Sequence, residues 1–312
     1  MVTEEVEKLK TVMEQAYQDG LKIHEGKNAD YIPFLAGVDP ALTALTAVTR
    51  EGEILSFGDD TFRFAIESIS KVCTLVLAME EEGEYAIRKK IGDSPTGLPF
   101  NSVMALELHK DKPLSPLVNA GAMATTSLVQ AKDKEERWAK ILEMQRQLMS
   151  EKVALSEAVN TSEQTTNFHN RALAWLLYAA GHMYSDPMEA CEVYTRQCST
   201  LVSSRDLAVM AGTLAFGGIN PVTGARVLKE KNVPHILAEM MMEGLYDGSG
   251  DFAYLTGLPG KSGVGGGLMA VVPGVLGIAA FSPRLDAAGN SVRGQHMIRQ
   301  VANTMGYNIF RG

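Results

Sequence analysis

The sequence is poor in several things that would each have set a direction. Three cysteines in 312 residues, Cys73, Cys191 and Cys198, are an odd number in a long chain. They suit free buried thiols in a reducing compartment and argue against a disulfide framework. Cys191 and Cys198 can share a helix face, but no histidine pair completes a metal site around them, and the six histidines are scattered. Positive charge is not in excess: the formal net charge is -8, which disfavours nucleic acid as a partner. The start, Met-Val-Thr-Glu-Glu, has neither a basic n-region nor an apolar h-region, so no signal peptide is expected. The longest apolar run, Leu268 to Phe281, is broken by Pro273-Gly274 and is too short to span a bilayer. Internal repeats and low-complexity segments are absent. These absences lead to the expectation of a soluble, cytoplasmic globular chain, with no membrane partner and length for one large domain or two lobes.

One stretch organises what remains. The run Val72 to Met79 is too uniformly apolar for a surface helix and reads as a helix buried on most sides. It is opened by Ser68 and Lys71, three apart and therefore on one helix face. At a helix start, unpaired backbone N–H groups and the positive end of the dipole disfavour a protonated lysine. A serine hydroxyl needs a base, and a lysine serves as one only when neutral. That requires a depression of roughly three units from its ordinary value, about 4 kcal/mol, within reach of burial. Ser-x-x-Lys also arises by chance as a solvated pair, so the motif gains weight only from the apolar helix behind it.

Coarse patterning places the other elements. Val6, Leu9, Met13 and Ala16 form a helical stripe, with Thr3 as its cap. Leu42–Thr49 and Ile54–Phe57 read as strands joined by a hairpin turn at Glu51-Gly52. Gly92–Asn101 and Leu114–Ala122 read as structured loops, the second entering a helix of small residues. Lys132–Glu151 reads as an exposed amphipathic helix. Further helices are expected around Asn170–Ala180, from Pro187 to Cys198, and from Ser203 to Gly217-Gly218, then over Val233–Tyr246. Near the end, Lys261-Ser262-Gly263 leads into two strands, Leu268–Val272 and Val275–Phe281, and Val292–Met305 closes the chain as a helix. Strands at both ends and helices between them predict an α+β fold. One antiparallel sheet is built from both ends and flanked by the terminal helices, with a helical insertion. The expected division is an α/β lobe of about 1–66 and 220–312 and a helical lobe of about 67–219, with Ser68 in the cleft between them.

Ser-x-x-Lys early and Lys261-Ser262-Gly263 late, on this layout, is the pattern of the penicillin-recognising serine hydrolases. Within that group the stretches Ala29–Pro33, Glu67–Lys71, Pro99–Ser102, Val118–Ala122 and Gly257–Val264 resemble the serine-dependent glutaminases, in their short bacterial form. The resemblance runs from about Ala29 to the C-terminus. It implies a β-lactamase/DD-peptidase-like fold and hydrolysis of L-glutamine to L-glutamate and ammonia, without metal or organic cofactor. Carried over by motif, Ser68 resembles the nucleophile, Lys71 its base, and Tyr246 a proton shuttle. The backbone N–H groups of Ser68 and Val264 would form the oxyanion hole. Tyr31, Asn119, Glu163, Asn170 and Tyr194 would grip the amino-acid end of the substrate, Glu163 meeting its ammonium, with Lys261 and Ser262 in a secondary role. A homodimer or homotetramer is also implied. The family commonly has Gln before the nucleophile; Glu67 stands there in this sequence and reads as tolerated variation. Two rivals remain at this stage. One is another serine acyl hydrolase of the β-lactamase, DD-peptidase or esterase type, disfavoured by the missing leader and the lack of a clear Ser-x-Asn or Tyr-x-Asn middle motif. The other is a non-catalytic glutamine sensor, disfavoured because Ser68 and Lys71 are both present.

Overall fold

A computed structural model describes residues 3–311. In chain order, the N-terminal part comprises α1 (Thr3–Leu21), the single turn α2 (Pro33–Ala36), β1 (Ala44–Thr49), β2 (Ile54–Gly58) and β3 (Phe64–Ala65). Helices then dominate: α3 (Ser70–Glu82), α4 (Glu84–Lys90), α5 (Val103–Leu108), α6 (Asn119–Leu128) and α7 (Lys134–Leu148). After β4 (Ala154–Leu155) come α8 (Glu157–Gln164), α9 (Phe168–Ala179), α10 (Pro187–Cys198), β5 (Thr200–Val202) and α11 (Ser204–Ala215). The chain closes with α12 (Val233–Glu243), α13 (Ser249–Thr256), β6 (Gly260–Ser262), β7 (Gly267–Val272), β8 (Leu276–Phe281) and α14 (Val292–Met305). The expected cap at Thr3 rests on a side chain outside the described residues.

The main sheet has the order β2-β1-β8-β7-β6 and is antiparallel throughout. Every residue of β1, β7 and β8 is buried, which is why these strands read as apolar runs. Alternation still sorts their side chains. Leu45, Ala47, Leu268, Ala270, Ile278 and Ala280 pack with Leu9 and Met13 of α1 and Met297 and Val301 of α14. Val48, Met269, Val271, Ala279 and Phe281 face the other way, into the core shared by α3 and α11. On that face the helix lies close to the strand: a Cβ built on Gly277 would stand 2.1 Å from the Gly212 nitrogen of α11. Thus α11, though it falls in the 67–219 stretch assigned to helices alone, covers a face of the sheet.

Helix α3 is the centre of the second core. Its residues Ser70 to Met79 are all buried, with Leu117, Ile141, Leu148, Val193 and Ile236 in the same cluster. Helix α7 is less exposed than its charge implied, because Arg137, Ile141, Met144, Gln145 and Leu148 are buried. Several elements escape the sequence pattern, the short helices α4, α5 and α8 among them. The segment expected to run as helix to Tyr246 stops at Glu243; Tyr246–Gly248 forms a 3-10 turn, and α13 follows from Ser249. A small antiparallel sheet, β3-β5-β4, sits beside α3.

Candidate active site

The small sheet aims the chain into α3. Ile66 N–H donates to Thr200 O at 2.9 Å, and Glu67 then takes a left-handed backbone with φ 51°. The chain turns there from strand into the 3-10 turn Glu67–Ile69, so Ser68 stands just ahead of α3. Left-handed backbone is costly for a side chain with a Cβ and persists only where surroundings hold it. The glycine-rich loop after β6 is part of those surroundings. A Cβ on Gly263 would come 2.7 Å from Ile66 O, and one on Gly265 would come 2.2 Å from Ala65 O. Only glycine lets that loop lie against the Ser68 turn. Between them, the Val264 N–H meets no acceptor among the described residues.

Lys71 is fully buried. Its Nζ donates to Ser68 Oγ at 2.8 Å, to Asn119 Oδ1 at 2.8 Å and to Tyr246 OH at 3.4 Å. Burial pulls it down to about 8, opposed by Cys198, Glu67 and Glu243. Asn119, the first residue of α6, is the hub of the polar network. Its Oδ1 also accepts from Tyr194 OH at 3.1 Å, and its Nδ2 donates to Asn170 Oδ1 at 3.0 Å. Tyr246 is a second left-handed residue, with φ 57°, and its ring lies 4.8 Å from that of Phe100. Burial pushes its hydroxyl well above the usual phenol range.

The remaining sequence-predicted residues divide by position. Glu163 of α8 accepts from Ser199 Oγ at 3.3 Å and is hydrogen-bonded to the Glu67 carboxyl; burial pushes it up to about 7. Tyr31 is half exposed at the rim. Tyr31, Phe100, Asn119, Glu163 and Asn170 line one cleft of about 330 Å³. Lys261 is buried behind Tyr246, its Nζ donating to Ser262 O at 2.6 Å and lying 4.4 Å from the tyrosine ring centroid. Burial and Lys71 hold it well below the lysine range. Ser262 turns away, donating to Asn290 Oδ1 at 2.6 Å, so it braces the strand and does not reach Ser68. Sequence reasoning gave no role to Phe100, Asn290 or Glu67; an acidic residue inside the buried run from Phe64 to Ser70 was the signal for the last.

Chemically, a hydroxyl touches a buried amine that burial brings far closer to neutrality than an ordinary lysine. Beside them lies a cleft lined by a carboxyl group, Glu163, and by amide and phenol groups of Asn119, Asn170 and Tyr31. That set can perform acyl transfer on a small zwitterionic substrate.

Comparison with known proteins gives one answer. The glutaminase family model matches residues 26–310. A glutaminase of Escherichia coli O81 (strain ED1a) is 64% identical over 305 residues, spanning 98% of both chains. A glutaminase of Desulfovibrio desulfuricans is 62% identical over 306 residues, covering 98% of this chain and 99% of its own. Among solved structures, a probable glutaminase ybaS superposes with a TM-score of 0.97 at 64% identity, covering 98% of this chain and 99% of the other.

Proposed function

The chain belongs to the glutaminase family, with its β-lactamase-like fold, and from that premise we propose that it hydrolyses the side-chain amide of L-glutamine through an acyl-enzyme on Ser68. The observation that carries the reading is the 2.8 Å contact between Ser68 Oγ and a buried Lys71. Neutral Lys71 takes the hydroxyl proton as Ser68 attacks the amide carbonyl. The oxyanion is held by the N–H groups of Ser68 and Val264, each worth roughly two to three orders of magnitude in rate. Tyr246, within reach of Lys71, passes the proton to the departing ammonia. Water then cleaves the glutamyl ester by the reverse relay. Glu163 meets the substrate ammonium. Asn119 keeps one Nδ2 hydrogen beyond its bond to Asn170 and, with Asn170 and Tyr31, meets the carboxylate; Tyr194 joins them by turning its hydroxyl from Asn119 Oδ1 to the substrate. Lys261 supports the Tyr246 ring from behind.

In this reading residues 1–312 form one catalytic domain of two lobes, about 1–66 with 220–312 and about 67–219, with α11 serving the sheet. No cofactor takes part. Three buried thiols fit a cytoplasmic location, and no helix among the described residues is long and apolar enough to cross a membrane. Exposed Phe168, Trp175, Leu176 and Tyr178 on α9 give a homodimer or homotetramer a surface to use. The test is ammonia release from L-glutamine, with L-asparagine and D-glutamine alongside. Release from L-glutamine, abolished in Ser68→Ala, is expected. Turnover by Ser68→Ala within tenfold of wild type would overturn the nucleophile assignment.

A further inference from the structure

Two carboxyl groups meet beside the nucleophile. Glu67 is 3% exposed, and its side chain is hydrogen-bonded to that of Glu163. Its Oε1 is buried and meets no donor among the described residues. Two carboxylates in such contact cannot both be ionised at modest cost, so a proton lies between them. The surroundings decide where it sits. Glu163 has a second donor in Ser199 and opens onto the cleft. Glu67 does neither: it does not line that cleft, and its buried Oε1 has no donor among the described residues to meet a charge. Lys71 favours a charge on Glu67 only from a distance and after the larger effects of burial and Glu163, because its donors go to Ser68, Asn119 and Tyr246.

We propose that Glu67 is a positioning residue: it keeps the shared proton, donates it in a hydrogen bond to Glu163, and so holds the Glu163 carboxylate ionised toward the cleft. This rests on the assignment of Glu163 to the substrate ammonium. The other titratable groups that face Glu67 are Lys71 of α3, Tyr31, Cys198 of α10 and Tyr246. Burial pushes Tyr31, Cys198 and Tyr246 above their ordinary values, so they stay neutral, and Lys71 alone can add a charge. The sign follows. With the proton in place Glu163 is held; as pH rises and the proton leaves, two facing carboxylates repel and substrate binding weakens. Alkaline pH therefore raises KM.

The test compares Glu67→Gln, which keeps a donor that cannot ionise, with Glu67→Ala, which has none. Glu67→Gln is expected to keep KM for L-glutamine within about threefold of wild type at pH 7 and to lose the alkaline rise in KM. Glu67→Ala is expected to raise KM about tenfold or more at every pH, with a smaller change in kcat. Equal KM values in the two variants, or an alkaline rise kept in Glu67→Gln, would overturn the proposal. A second readout needs no substrate and so separates this idea from the functional reading. The infrared difference between wild type and Glu67→Gln at pH 7 should show the loss of one carboxylic-acid C=O band. The difference is needed because Glu239, pushed up to about 8 by burial, supplies such a band in both proteins. No lost band would refute the protonated Glu67 outright.

Discussion

Asn119→Asp changes one atom group and tests how Lys71 is kept neutral. The side-chain oxygen it keeps lies 2.8 Å from Lys71 Nζ and also accepts from Tyr194, while the amide NH2 gives way to a second oxygen and a negative charge. A carboxylate accepts both bonds, and the Asn170 amide can rotate to donate to it, so the fold should survive. The electrostatics change. A unit charge 2.8 Å away is worth at most about 6 kcal/mol at an effective dielectric of about 20. Burial of the new charge consumes much of that, leaving the one to three units usual for a neighbouring opposite charge. Taking about two units, Lys71 rises from about 8 to roughly 10. A base must be neutral, so its activity exists above its pKa and is lost as pH falls through it. At pH 7.5 the neutral fraction then drops from about a quarter to about 0.3%, and kcat falls about 80-fold. The assay is kcat for ammonia release against pH, with a melting curve to confirm folding. The limb should move about two units toward alkali. A folded variant with kcat within threefold of wild type at pH 7.5, and its limb still near 8, would refute the reasoning.

Three further outcomes are expected. Glu163→Gln removes the counter-charge for the substrate ammonium and should cost about 2 kcal/mol, roughly 30-fold in KM, with kcat little changed; an unaltered KM would rule out that role. Gly265→Ala would place a Cβ 2.2 Å from Ala65 O. It should push the loop carrying Val264 off the Ser68 turn and lower kcat about 100-fold or more; wild-type kcat would show that the loop is not set by this contact. Leu75→Ala empties a fully buried site in α3. It should cost about 2–5 kcal/mol in urea unfolding, and a loss under 1 kcal/mol would mean that the core around α3 collapses to fill it.

Where composition and period decide a structure, the chain was readable. β1, β7 and β8 are apolar because both faces are covered, and α3 is apolar because it is surrounded. Asp186-Pro187 and the Ser203/Asp206 pair mark helix starts, and both cap as expected. Helical spacing pointed to the Ser68–Lys71 contact, although Ser68 reaches it from a 3-10 turn ahead of α3. What stayed hidden depends on contacts between distant segments. Strands of two or three residues, such as β3, β4 and β5, have no period to detect. Two glycines at Gly248 and Gly250 masked α13. The left-handed Tyr246 is imposed by tertiary packing, since nothing local favours it. The meeting of Glu67 with Glu163 joins residues almost a hundred positions apart, and Ser262, given a secondary role by the resemblance, pairs with Asn290. The resemblance picked out Asn119, Asn170 and Tyr194 singly; only the structure shows them as one hydrogen-bonded chain leading to Lys71.

The pairing of β1 with β8 has a consequence for how the protein is made. Thr46 lies opposite Ala279, so the main sheet joins β1 to a strand made far later in the chain, β8. During synthesis β1 and β2 can form only a hairpin, an isolated ribbon that is marginal in water. The buried face of α11 is made well before the strands that cover it. The nascent chain therefore waits on the ribosome with apolar surface open until almost all of it has emerged. Closure of the sheet is then a single late event that also brings the loop bearing Val264 against Ser68. A chain truncated ahead of β8 should bind a chaperone and not fold into a smaller version of the protein, and activity in a translation time course should appear only after the last strand clears the exit tunnel.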